Sequence, residues 1–125
     1  MSVGISASAV TVVSDANTAM TVKSGNLPVF GTPMMVALME EAACNALKEA
    51  NMLNEGQSSV GTHISVDHSA ASPIGAKITA TATITNVDGR KITLDLKAQD
   101  DKQEIGKGHH VRFIIDAERF MAKLK

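Results

Sequence analysis

Thr32-Pro33-Met34-Met35-Val36-Ala37-Leu38-Met39-Glu40-Glu41-Ala42-Ala43-Cys44-Asn45-Ala46-Leu47-Lys48-Glu49-Ala50-Asn51-Met52-Leu53 is the one long stretch of this chain that reads as a helix. From Met34 to Leu53 it holds no Gly or Pro and is rich in Ala, Met, Leu and Glu, all good helix formers. Thr is a favoured cap and Pro fits the first helical position, so Thr32-Pro33 marks the start. Asn54-Glu55-Gly56 ends it. The spacing predicts a helix of about five turns, thin because of its alanines.

Outward from the helix the period changes from helical to twofold. Upstream, Val10-Thr11-Val12-Val13 is a β-branched run that ends in the turn residues Ser14-Asp15-Ala16-Asn17, and Ser24-Gly25-Asn26-Leu27-Pro28 reads as a loop. Downstream, Val60, Thr62, Ile64 and Val66 alternate with Gly61, His63, Ser65 and Asp67. Ser72-Pro73-Ile74-Gly75 turns the chain, and Ile78, Ala80, Ala82 and Ile84 alternate with lysine and threonines. Asp88-Gly89 is a two-residue hairpin signal. Ile92, Leu94, Leu96 and Ala98 follow, then a turn at Asp100-Asp101-Lys102, a strand from Ile105 to Ile115, and a tail long enough for one or two helical turns. One strand, one long helix and four meandering strands predict an α+β chain. Its five-stranded antiparallel sheet wraps around the central helix, a hot-dog arrangement, with residues 1–125 forming a single domain.

Composition narrows the function. With 125 residues and 44% hydrophobic side chains, the chain is long enough for one core. Three Phe, no Trp and no Tyr argue against base-stacking surfaces, and a formal net charge of -1 without a basic stripe argues against nucleic acid as partner. The single Cys44 excludes internal disulfides and multi-cysteine metal sites. Met1-Ser2-Val3-Gly4 shows no signal-peptide pattern, and no apolar run approaches the ~20 residues of a membrane span. A cytoplasmic protein with no membrane contact is expected.

The informative residues break the polar–apolar pattern. On the helix, the neighbours of Glu40 are Val36, Ala43, Cys44 and Leu47, all apolar, whereas those of Glu41 include Asn45 and Lys48. Glu40 therefore sits at the border of the buried stripe, where a carboxylate either serves a site or simply reaches water. His68 follows Ile64 and Val66 on the inward face of its strand, and a satisfied structural histidine is the plain alternative to a functional one. His109 and His110 are adjacent and must face opposite ways, and no metal-ligand constellation emerges. Thr32 is explained by capping, yet the helix start also gathers N–H groups, with Met34 and Met35 as the usable donors beyond Pro33. Gly61 marks either a bulge or a close backbone approach to a ligand.

Val29-Phe30-Gly31-Thr32-Pro33 through Glu40, Gly61-Thr62, Val66-Asp67-His68-Ser69-Ala70-Ala71-Ser72-Pro73 and Glu104-Ile105-Gly106-Lys107-Gly108-His109-His110-Val111-Arg112 resemble, in order, the fluoroacetyl-CoA thioesterase-like family of hot-dog proteins. The resemblance runs from about Thr32 to the C-terminus. It implies a catalytic set of Thr32, Glu40 and His68, with the Gly61 amide contributing to the site of the carbonyl oxygen. The fluoroacetyl-selective members carry a phenylalanine-rich lid before the helix. Here Ser24 to Val29 holds Leu27 and no Phe, so an ordinary short acyl-CoA is the expected substrate, with Leu27 over the acyl pocket. Arg112 and lysines such as Lys107 are either contacts for the CoA phosphates or plain surface charge. No cofactor is expected, since CoA belongs to the substrate.

Eight residues of helix separate Thr32 from Glu40, a rise of ~12 Å, so the two cannot be neighbours on a straight helix. They surround different parts of the substrate, or one comes from a second subunit. Proteins of this kind usually dimerise with the site between subunits, which implies a homodimer, with a dimer of dimers left open. Covalent and water-attack routes are both open for Glu40. A hydratase is disfavoured because the helix has no His, and a non-catalytic acyl-CoA or acyl-carrier binding module or a structural dimerisation domain are the other readings.

Overall fold

A computed structural model describes residues 2–125. In chain order the elements are β1 (Ser6–Val12), α1 (Thr32–Glu49), β2 (Gln57–His68), β3 (Lys77–Asp88), β4 (Lys91–Gln99), β5 (Glu104–Asp116) and a short α2 (Ala117–Ala122). The sheet order is β1-β3-β4-β5-β2 and every pairing is antiparallel. β1 and β2 are thus the free edges. The sheet curls around α1, the expected hot-dog fold.

The alternating patterns place the core. Ile78, Ala80, Ala82 and Ile84 of β3 and Ile92, Leu94 and Ala98 of β4 are fully buried against Met35, Met39, Ala42, Ala43, Ala46 and Leu47 of α1. Alanines face alanines across this contact, which lets helix and sheet approach closely. The wrapping is uneven. The inward Ile64 and Val66 of β2 remain only partly buried, so the concave face is open on the β5–β2 side.

Both helix ends differ from expectation. The N-cap is Gly31, in extended backbone, and Thr32 is the first helical residue; its hydroxyl caps nothing. Met34 and Met35 both donate to the Gly31 carbonyl, so neither amide is a free donor at the helix start. The helix ends at Glu49, four residues earlier than expected. Asn51 adopts φ 54°, Asn51 N–H donates to Lys48 O and Met52 N–H to Leu47 O. That is a Schellman motif with Asn in the glycine place, and Met52 and Leu53 leave the helix to pack on the core instead of extending it.

β2 also departs from simple alternation. Its register against β5 shifts between Gly61 and His63, leaving Thr62 as the extra residue of a bulge. Ile64, Val66 and His68 face the helix side as expected. Before the bulge the phase reverses, and Gly61 rather than Val60 or Thr62 turns inward, opposite Arg112. Further along the same pair, Gly108 lies so close to β2 that a Cβ there would collide with the Ser65 carbonyl oxygen. Gly108→Ala is expected to cost about 1–3 kcal/mol, because backbone must move and not a flexible side chain. A thermal melt superimposable on that of the wild type would contradict this.

Candidate active site

Two loops are stitched together at the start of α1. Val29 bridges to Pro73, Phe30 N–H donates to Ser72 O, and the Phe30 ring is 1% exposed and anchors the seam. The stitching carries the end of β2 to the helix start. There Thr32 Oγ1 lies 2.7 Å from His68 Nδ1. His68 Nε2 is buried with no hydrogen-bond partner, an arrangement that calls for a group the chain itself does not supply. Thr32, His68, Val29, Phe30, Ala70 and Ala71 line a cavity of about 240 Å³. Leu27, expected over this cavity, does not line it; its side chain is turned out, and the residue is 64% exposed.

Glu40 lies elsewhere. Its Oε2 is 3.3 Å from Arg112 Nη1 and 3.8 Å from His110 Nε2. A Cβ added to Gly61 would stand 2.7 Å from that same Oε2. The bulge and the close approach proposed for Gly61 are therefore one feature, and what approaches is the Glu40 carboxylate. The Glu40 side chain is 41% exposed, so it sits at the rim of the core with one oxygen engaged. The structure thus brings Thr32 to His68 and Glu40 to Gly61, and it does not bring the two pairs together within one chain.

Arg112 corrects the reading of it as a surface or phosphate-facing charge. Its side chain is 7% exposed and forks onto Ser59, Nε to Oγ and Nη2 to the carbonyl, both at 2.9 Å. A buried guanidinium is tolerable only when paired, and Glu40 is the carboxylate that pairs it. Ser59 escaped the sequence reading, and His110 entered it only as a rejected metal ligand and within the family motif. Their signal was the β5 face Gly106, Gly108, His110, Arg112 and Ile114, in which two polar residues occupy inward positions.

Burial pushes the imidazoles of His68 and His110 below their ordinary range. For His68 the backbone at Ala70 opposes the shift without making a hydrogen bond to the ring. For His110 the bond to His63 opposes it and the Arg112 cation adds to it. Both are neutral at pH 7, and His68 can accept a proton there. The unfolded chain titrates near 6.5 and takes up protons that the folded imidazoles resist, so stability is lost as pH falls from about 6.5 through the lower folded values. Thermal midpoints should drop between pH 7 and 5, with a smaller drop in His110→Gln; parallel profiles for the two proteins would count against this.

A concavity of about 600 Å³ lies on the outer face of the sheet among Ser65, Thr81, Thr83, Lys97 and the exposed pair His109–Asp95. It touches neither Glu40 nor His68, and its walls are open, solvated strand surface. Among the described residues no cluster of His, Cys, Asp or Glu could hold a metal ion, and no helix is long and apolar enough to cross a membrane.

A sheet curled around one helix is the hot-dog fold, and here the helix carries the carboxylate Glu40 and the sheet's inner face the histidine His68, the groups a thioester hydrolase of that class requires. The family model of the fluoroacetyl-CoA-specific thioesterase FlK matches residues 13–118, and the chain belongs to that family. The fluoroacetyl-CoA thioesterase of Streptantibioticus cattleyicolor is 43% identical over 97 residues, covering 78% of this chain and 68% of the relative. A solved structure of the fluoroacetyl-CoA thioesterase FlK superimposes with a TM-score of 0.91 at 37% identity, over 99% of this chain and 95% of the other. A point mutant of FlK in complex with fluoroacetate and CoA gives 0.88 at 36% identity, over 96% and 99%. A thioesterase superfamily member from Thermus thermophilus, 24% identical with a TM-score of 0.88 over 98% and 89%, shares the fold.

Proposed function

We propose that this thioesterase hydrolyses a short acyl-CoA to the free acid and CoA in a site shared by two subunits, with Thr32, Glu40 and His68 as its catalytic set. The observation that carries the reading is the pair of incomplete half-sites at the two ends of the free β2 edge. One end holds His68 with an unpartnered, buried Nε2; the other holds Glu40 lodged on Gly61. A two-fold axis between Ile64 and Ser65, with β2 pairing to its own copy, sets His68 opposite Gly61 of the partner subunit. The pairing also covers the open concave face beside Ile64 and Val66.

In such a site the Gly61 amide polarises the thioester carbonyl, and Glu40 acts on the carbonyl carbon as nucleophile or through a water. His68, neutral and oriented by Thr32 through Nδ1, takes the proton of the attacking water and passes it to the departing CoA thiolate; where Glu40 has first formed an acyl anhydride, that water hydrolyses the anhydride and restores the carboxylate. The shallow, open depression of about 240 Å³ bordered by Ala70, Ala71, Val29 and Phe30 offers small apolar side chains to a short acyl group. Release of free thiol from acyl-CoAs of two to eight carbons, with fluoroacetyl-CoA included, tests the reading. Turnover that peaks at the short chains supports it. Binding of CoA esters without turnover would leave a binding module instead.

A further inference from the structure

Arg112 has five N–H donors, and the structure accounts for four of them. Nε and Nη2 are fixed on Ser59. The two hydrogens of Nη1 are divided between Glu40 Oε2 at 3.3 Å and His110 Nε2 at 3.2 Å. His110 is 1% exposed, so its protonation pattern is set by its neighbours and not by solvent. Its Nδ1 lies 2.8 Å from the His63 carbonyl oxygen, which can only accept. Nδ1 therefore carries the hydrogen, and Nε2 of the neutral ring presents a lone pair. The groups that act on it are Glu40 from α1, the carbonyl and the imidazole of His63 from β2, and Arg112 on its own strand.

We propose that His110 is a positioning residue: its Nε2 lone pair takes one Nη1 hydrogen of Arg112 and so turns the other onto Glu40, fixing the carboxylate on Gly61. This rests on Glu40 being the reacting carboxylate. A buried histidine that merely filled space would need the His63 bond but no acceptor toward Arg112. The arrangement has a polar origin to match: the bulge beside His63 and the inward pair His110–Arg112 meet at the same point of the β2–β5 ladder. Burial and the Arg112 cation both hold the ring neutral, as an acceptor requires.

Two substitutions separate the roles. In His110→Asn the amide reaches the Nδ1 position and keeps the donor to His63, but nothing stands at Nε2. In His110→Gln the amide oxygen reaches the Nε2 position and restores an acceptor for Arg112. Steady-state hydrolysis of the preferred acyl-CoA should show kcat about tenfold lower in His110→Asn, with KM changed less than about twofold, and most of the kcat regained in His110→Gln. Equal losses in both variants, a loss in KM alone, or no loss in His110→Asn would overturn the proposal. Ring ¹⁵N shifts of the wild type test it without any variant. They should report His110 protonated at Nδ1 and bare at Nε2 through pH 7, and the opposite tautomer or a charged ring would overturn it. If the wild type turns over no acyl-CoA at all, the functional reading itself fails. Turnover with indistinguishable Asn and Gln variants defeats only the role of His110.

Discussion

Glu40→Gln is expected to lower kcat by at least about a hundredfold while the protein stays folded. The substitution keeps shape and one acceptor oxygen, so Arg112 Nη1 retains a hydrogen-bond partner at 3.3 Å and Ser59 still holds the rest of the guanidinium. What is lost is the negative charge that the proposed nucleophile or base requires. The contact over Gly61 makes the effect local: the carboxylate oxygen has the Gly61 backbone beneath it and Arg112 beside it. Loss of kcat with an unchanged KM is the expected pattern. A fall of less than about fivefold would remove Glu40 from the chemistry.

His68→Ala is expected to cost a similar factor, about a hundredfold or more in kcat, by removing the proposed proton carrier. Thr32→Val should cost less, about tenfold, because it leaves the imidazole in place and removes only the hydroxyl 2.7 Å from Nδ1. Thr32 is exposed and its hydroxyl caps nothing, so the stability of this variant should match the wild type. Thr32→Val activity equal to that of the wild type would show the hydroxyl to be idle, and His68→Ala with full activity would leave the buried Nε2 without a purpose.

Much of this was legible in the sequence because alternation and helical spacing are written residue by residue. The helix, the five strands and the inward placement of His68 needed only those periods. The separation of Thr32 from Glu40 followed from helix rise alone. The bulge was ambiguous: a glycine in a strand signals either an extra residue or a close approach, and at Gly61 it is both. Arg112 misled because a charged residue between Val111 and Phe113 looks like solvated edge, and its burial depends on Ser59 and Glu40, distant by 53 and 72 positions. His110 was hidden for the same reason, since its partners lie on β2 and α1. Asn51 ended the helix early by adopting a left-handed conformation that Asn tolerates better than most residues. Pairings between distant segments are set by register, and register across a bulge cannot be counted from one strand alone.

The shared site is tested most directly by complementation. Glu40→Gln and His68→Ala proteins, each nearly inactive, are dissociated, mixed and reassociated, with two affinity tags to confirm mixed dimers, and CoA release is measured. A site built from His68 of one subunit and Glu40 of the other regains one intact centre in each mixed dimer, so activity should recover to roughly a quarter of the wild type. Confirmed mixed dimers with no activity above that of the separate variants would place both groups in the same subunit and contradict the account.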